Sequence, residues 1–229
     1  MKTALITGAS RGLGLALTRR LAERGWRLVI DARGSEALLR ARDELAARTT
    51  VVAIAGDVAD EAHRRALVHA AGERLELLVN NASVLGPSPQ PRLADYPLDE
   101  LERVYAVNVL APLRLAQLAI PALERNGGTL INVTSDAAVE AYEGWGGYGS
   151  SKAGLEALTA VLAAEHPALF VHAADPGDMR TQMHQEAFPG EDISDRPEPE
   201  ESVPGLLALI DGERPSGRFR AADLAEVAS

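Results

Sequence analysis

The chain has 229 residues and no cysteine. That excludes a disulfide framework, a thiolate nucleophile and any zinc site built on sulfur. Basic residues are in the minority, 23 Lys and Arg against 33 Asp and Glu, for a net charge of −10. A nucleic-acid partner is disfavoured, because phosphate binding needs clustered cations. No run approaches 18 apolar residues, so no membrane-spanning segment is expected. The start, "MKTALITGAS", has an apolar run of four residues and then glycine, too short for a signal peptide. A cytoplasmic protein is expected. No His, Asp and Glu grouping has metal-ligand spacing. Ser150 and Ser151 lack a partner set for a hydrolase triad.

What is present is ordinary for a globular α/β protein: 46% hydrophobic and 24% charged residues, enough for one domain with a real core. Short apolar runs alternate with Ala-, Leu- and Arg-rich stretches of helical period. Strands are predicted at 3–8, 27–31, 50–58, 75–83, 128–135, 169–177 and 217–221. Helices are predicted at 12–24, at 35–47 with Ser35 as N-cap, at 60–73, at 98–124 and at 148–165. The 98–124 helix is expected to bend near Pro112 and Pro121. Alternation of this kind predicts a doubly wound parallel sheet with helices on both faces, a Rossmann-type single domain over 1–229. The acid- and proline-rich segment 184–204 breaks the pattern and reads as a disordered insert or a lid.

"TGASRGLG" (7–14) joins the first strand to the first helix. Gly8 permits a tight turn, Gly12 lets backbone approach a pyrophosphate, and Gly14 lets helix pack on sheet. The helix N-terminus then offers free N–H groups to phosphate. Farther on, "YGSSK" puts Tyr148 and Lys152 four residues apart, on one face of a helix. A phenol titrates near 10. A neighbouring ammonium lowers that value and makes tyrosine usable for proton transfer to or from an alcohol or ketone oxygen. Ser135 stands at the C-terminal end of a strand, where open α/β sheets bind ligands.

These elements, with "GDV" (56–58), "NNAS" (80–83), Asn108 in "VNV", "VTS" and "PGDMRT" (176–181), occur in the order of the short-chain dehydrogenase/reductase family. The chain resembles its compact single-domain branch over roughly residues 1–181. The resemblance implies an oxidoreductase that passes hydride between a nicotinamide cofactor and a carbonyl or alcohol. It implies Ser135, Tyr148 and Lys152 as the catalytic set, with Asn108 anchoring a water on a proton path. Ser135 would hold the substrate oxygen and Lys152 the cofactor ribose. It implies cofactor contacts from Gly8, Ser10, Arg11, Gly12, Leu13 and Gly14 in the turn, and from Asp57 and Val58 at the adenine. Asn80 and Ala82 would lie by the ribose; Ser83 stands where the family usually has glycine. Pro176, Gly177, Met179 and the Thr181 hydroxyl would face the carboxamide.

The family's NAD-selecting acid lies eighteen residues after the last glycine of the turn, which here is Ala32. Arg33 follows, where an NADP-selecting arginine often stands, with Arg11 as a second cation for the 2′-phosphate. Asp31 comes one residue early and should point to the opposite face. NADP is therefore favoured over NAD. The resemblance also implies a homodimer through helices 98–124 and 148–165, with a homotetramer as the alternative; the ending "SGRFRAADLAEVAS" departs from the usual tetramer-forming finish. The alternative function is a catalytically silent NADP-binding sensor or scaffold on the same fold. A sugar-nucleotide epimerase would need a larger C-terminal lobe. The small-molecule pocket should be framed by Ser135, Asp136, Ala137, Tyr142, Glu143, Trp145, Tyr148 and residues 177–188. His184 lies in the lid segment; His166 and His172 read as structural or surface. The acids of the frame point to a polar or cationic substrate.

Overall fold

The computed structural model describes residues 1–212 and 214–225; residues 226–229 of the departing C-terminal ending lie outside the described residues. Seven strands form one sheet in the order β3-β2-β1-β4-β5-β6-β7, every neighbouring pair parallel. They are β1 (Thr3–Ile6), β2 (Arg27–Ala32), β3 (Val51–Ala55), β4 (Leu75–Asn80), β5 (Thr129–Val133), β6 (Phe170–Asp175) and β7 (Gly217–Arg220). Their central residues are apolar on both faces, because helices cover both. Helices α1 (Gly12–Glu23), α2 (Ser35–Ala46) and α8 (Pro199–Asp211) close one face around Ile6, Ile30 and Ile131. Helices α3 (Glu61–Ala71), α5 (Ala111–Asn126) and α6 (Gly146–Glu165) close the other around Leu5, Val29 and Leu130. This is the doubly wound, Rossmann-type arrangement expected. Strand order reverses between β1 and β4, and the crevice at their carboxyl ends is where such sheets bind ligands.

Four local features differ from expectation. Ser35 is the first residue of α2 rather than its cap; Gly34 stands at the N-cap. The long helix is α4 (Leu98–Tyr105), a π-helical turn (Ala106–Leu110) and then α5. In that turn the Ala111 N–H reaches back five residues to the Ala106 carbonyl. The ladder is disturbed just before Pro112, and the helix runs on through Pro121. By composition this rod, Leu98–Asn126, is long and apolar enough to cross a bilayer, but most of its apolar surface lies inside the fold.

The fourth difference is residues 184–204, which are structured. They contain α7 (Gln182–Ala187) and the first turns of α8, whose Val203, Leu206, Leu207 and Leu209 are buried. Pro199 in the first turn, Glu200 and Glu201 beside it, and the Glu201 carboxylate accepting from the Glu198 N–H at 3.2 Å are helix-start features,. Acid and proline here mark a helix N-terminus, not a linker. The chain ends in a short helix, α9 (Ala221–Ala225).

In the middle of β6, His172 is fully buried, packed edge-on to Phe219 at 5.5 Å, with no hydrogen-bond partner for either ring nitrogen among the described residues. Burial pushes its pKa down to about 4. The unfolded ring takes up a proton as pH falls through about 6.5. The unfolded state therefore binds more protons between about 6.5 and about 4, so His172 makes stability fall across that window and level off below it. His172→Leu, which removes two unsatisfied ring nitrogens, is expected to stabilise by about 1–3 kcal/mol. It should also flatten the acid limb of a plot of melting temperature against pH.

Candidate active site

A groove of about 1170 Å³ follows the carboxyl edge of the sheet, from the turn after β1 to the start of α6. At one end the glycine turn is held from beneath. A Cβ on Gly8 would meet Ala82 Cα at 2.9 Å, and one on Gly14 would meet the Gly8 carbonyl at 2.6 Å, so only glycine lets turn, helix and β4 come this close. Asp31 Oδ1 accepts from the Gly8 N–H at 2.8 Å, and His63 Nε2 lies 2.9 Å from Asp31 Oδ2. Asp31 is 1% exposed and turned toward α3, as strand alternation requires. Both of its oxygens are spent on the protein.

Ser10, Arg11, Gly12, Leu13, Arg33, Asp57, Val58 and Ala82 line the groove. Arg11 donates to Gln182 of α7, while Arg33 has no hydrogen bond or ion pair among the described residues. Asp57 accepts from the Ala59 N–H at 2.9 Å and from Arg103 at 3.1 Å. Burial raises its pKa, but the Ala59 N–H, Arg103 and Arg33 together hold it below the ordinary carboxylate value.

Asn80 is a correction. Its side chain does not line the groove; it is buried beneath α5, donating to Asn132 Oδ1 at 2.8 Å. The next residue, Asn81, takes the place at the groove and donates to the Thr7 carbonyl at 2.8 Å. Successive strand residues face opposite sides, so a one-residue choice inside "NNAS" decides which asparagine lines the groove.

At the other end Tyr148 and Lys152 are brought together with Ser135. Both are buried, and the Lys152 ammonium lies 5.5 Å from the Tyr148 ring centroid. Lys152 Nζ donates to the Val133 carbonyl at 2.8 Å. Burial pulls its pKa down to about 8, against an upward pull from Glu156. Burial pushes the Tyr148 phenol above its usual value; Asp136 and Asp175 push it further, while the Ser83 and Ser135 hydroxyls pull it back. The expected lowering by Lys152 does not prevail here, because desolvation of the phenolate is the larger effect. The Ser135 hydroxyl donates to Asp136 Oδ1 at 2.8 Å.

Asn108 sits in the π-helical turn. Its side chain is fully used: Oδ1 accepts from Ser83 Oγ at 3.0 Å and from the Val84 N–H at 2.9 Å, and Nδ2 donates to the Val84 carbonyl and Ser151 Oγ. It ties the turn after β4 to the Tyr148 helix. Pro176, Gly177, Met179 and Thr181 line the groove opposite the glycine turn. The Thr181 hydroxyl caps α7, accepting from the His184 N–H at 3.2 Å.

Of the expected pocket frame, Ser135, Asp136, Trp145 and Tyr148 line the groove, whereas Ala137, Tyr142 and Glu143 do not. Glu143 pairs with Arg92 at 2.9 Å. Asp136 accepts from Ser135, from the Ala137 N–H at 2.8 Å and from the Tyr142 hydroxyl at 3.0 Å.

Sequence reasoning missed one network altogether. From β7, Arg218 donates to Glu156 at 2.9 Å, to Asp175 at 3.1 Å and to the Ser135 carbonyl at 3.3 Å. Glu156 also accepts from Thr134 Oγ1 at 2.6 Å, and Asp175 from the Gly177 N–H at 3.0 Å. Glu156 was within reach of sequence reasoning, since it lies one turn beyond Lys152 on the same helix face. Arg218 was not, because only the β6–β7 pairing brings it there.

A family model described as short chain dehydrogenase matches residues 2–192. The chain is 36% identical over 198 residues to the sepiapterin reductase of Meriones unguiculatus, covering 79% of this chain and 75% of that one. It is 32% identical over 196 residues to the (S)-benzoin-forming benzil reductase of Saccharomyces cerevisiae, covering 81% and 74%. The alcohol dehydrogenase of the archaeon Thermococcus sibiricus, solved with 5-hydroxy-NADP, superposes with a TM-score of 0.86 at 27% identity, covering 96% and 95%.

Removing the Arg218 guanidinium strands two carboxylates beside Tyr148 and Lys152. Arg218→Met is expected to destabilise by on the order of 3 kcal/mol. Adding Asp175→Asn should recover part of that loss, read as a non-additive coupling in a double-mutant cycle of urea denaturation.

Proposed function

The chain belongs to the short chain dehydrogenase family and is a nicotinamide-dependent oxidoreductase, and on that premise we propose that it reduces a carbonyl with NADPH, Tyr148 delivering the proton. The observation that carries this reading is the state of Lys152. An ammonium has three donors, and this buried one spends a single donor on the protein among the described residues, at Val133. The others are available to ribose hydroxyls, next to a tyrosine and a serine at a strand end. The glycine turn, crowded where any Cβ would sit, fits the pyrophosphate end of the same ligand,. Asp57, Val58 and Ala82 would flank its adenosine half, and Pro176, Gly177, Met179 and Thr181 its nicotinamide half.

When bound, that cofactor supplies the hydride. The protein's part is proton handling and positioning. Tyr148, held neutral by burial, is in the form that can donate its proton to the carbonyl oxygen as charge gathers there. Ser135, turned away from Asp136, becomes a second donor to that oxygen. Asn108 positions the Tyr148 helix through Ser151 and the wall of the cleft through Val84. NADP is preferred to NAD because Arg33, without a hydrogen bond or ion pair among the described residues, lines the groove where a 2′-phosphate would lie, with Arg11 a second groove-lining cation, whereas Asp31 is committed to Gly8 and His63.

The test is a screen of ketones with NADPH and NADH, followed at the nicotinamide absorbance. Tyr148→Phe should lower kcat by about 10³-fold with little change in KM for NADPH. Arg33→Ala should raise KM for NADPH about ten-fold and leave NADH nearly unaffected. Equal turnover by Tyr148→Phe and the parent would refute the proton-transfer role. An absence of any turnover, with NADPH still bound, would leave the silent nucleotide-binding protein.

The same proposal includes a homodimer through α5 and α6. Beside alanine-rich helix surface, Leu110 is 58% and Val161 52% exposed, an apolar outer face that a second copy would cover. Sedimentation velocity should give a dimer for the parent and a monomer for Val161→Glu; a monomeric parent would remove this part.

A further inference from the structure

Aromatic residues are scarce, three Phe, two Trp and four Tyr in 229 residues, yet four of them meet at the catalytic end of the groove. Trp145 packs edge-on against Tyr148 at 5.8 Å and against Tyr142 at 6.4 Å, and tilts against Phe188 at 5.9 Å. Trp145 is half-buried and lines the groove. Leu85, Met183 and Ala187 continue this wall around Tyr148. We infer that the substrate is a neutral aryl ketone, one whose reacting carbon bears a flat aromatic ring lying against Trp145. This rests on the carbonyl-reductase reading above.

The geometry leads there in three steps. The substrate oxygen must reach the Tyr148 hydroxyl, about 2.7 Å away in a hydrogen bond. The carbonyl carbon then lies about 1.2 Å farther on, and the aromatic side chain that both packs against Tyr148 and lines the groove is Trp145. An indole presents a wide face and an edge that favour offset or edge-on partners, and the thioether of Met183 adapts to whatever ring shape lies against it. Of Asp136 and Glu143, only Asp136 lines the groove. Glu143 is paired with Arg92, and both oxygens of Asp136 already accept hydrogen bonds. The polar or cationic substrate suggested by the acids of the sequence thus gives way to an apolar, flat one. The competing use of this wall is to fasten α7 to the start of α6 through Trp145 and Phe188, with no part in selection.

The experiment separates flatness from bulk. With the full chain and NADPH, kcat/KM is compared for acetophenone and for cyclohexyl methyl ketone, which is of similar size without the aromatic ring. The aryl ketone should be preferred about ten-fold. Trp145→Ala should erase that preference and Trp145→Phe should keep it. Equal rates in the parent, or a preference that survives Trp145→Ala, would overturn the inference and leave the fastening role.

Should neither ketone turn over while the screen finds another carbonyl that does, the inference is overturned and the reductase reading stands; should no carbonyl turn over, the reductase reading fails on its own. The inference is then judged by fluorescence, since Trp26 lies in the core and Trp145 in the groove. Saturable quenching by acetophenone that disappears in Trp145→Phe supports it. Quenching that is absent, or that persists in Trp145→Phe, overturns it.

Discussion

A buried ammonium organises the catalytic end of this molecule. Lys152 is 2% exposed, and a charge so placed is tolerated only where the protein supplies compensating partners. Two partners serve it, a carbonyl and a carboxylate, and a wider network from β7 holds the carboxylate in place. The Val133 carbonyl at the end of β5 takes a hydrogen bond. Glu156, one helical turn away, supplies negative charge. Arg218 from β7 balances Glu156 and Asp175 together and reaches the carbonyl of Ser135. The result fixes the distance between Tyr148, Lys152 and the strand ends, and it explains why the last strand belongs to the site although none of its side chains carries out the proposed chemistry.

The nucleotide end depends on a smaller version of the same problem. The turn at Gly8 must expose backbone N–H groups, and one of them is tied to Asp31, whose other oxygen meets His63. A carboxylate placed beneath the turn stiffens it and is withdrawn from the ribose in the same act. Arg33, two residues later, lines the groove with no hydrogen bond or ion pair among the described residues, its charge acting on Asp57. In the NADP reading proposed above, the placement of Asp31 counts as much as the presence of Arg33.

Much of this was legible beforehand. The alternation of strands and helices, the glycine turn, and the spacing of Tyr148 and Lys152 are local patterns, and local geometry follows from residue spacing. Asn80 shows the limit: within "NNAS" a register of one residue decides which asparagine faces the groove, and strand register is set by partners far away in the chain. The π-helical turn at Asn108 was seen only as a disturbance near Pro112. The helix Pro199–Asp211 was hidden by its own N-terminal signals, because acid and proline at a helix start have the same composition as a flexible insert.

The amino-acid sequence by itself determined the doubly wound sheet and the place of the glycine turn, because both are written in short local patterns; Ser135, Tyr148 and Lys152 were singled out by resemblance to the family. Only the tertiary structure decided that Arg218 underlies the site, that Asp31 is tied to the Gly8 turn and His63, that Glu143 pairs with Arg92 and that Trp145 packs against three other aromatics. Those facts rest on side chains separated by tens to hundreds of positions meeting in space. Such meetings are set by sheet order and helix packing, which no local pattern encodes.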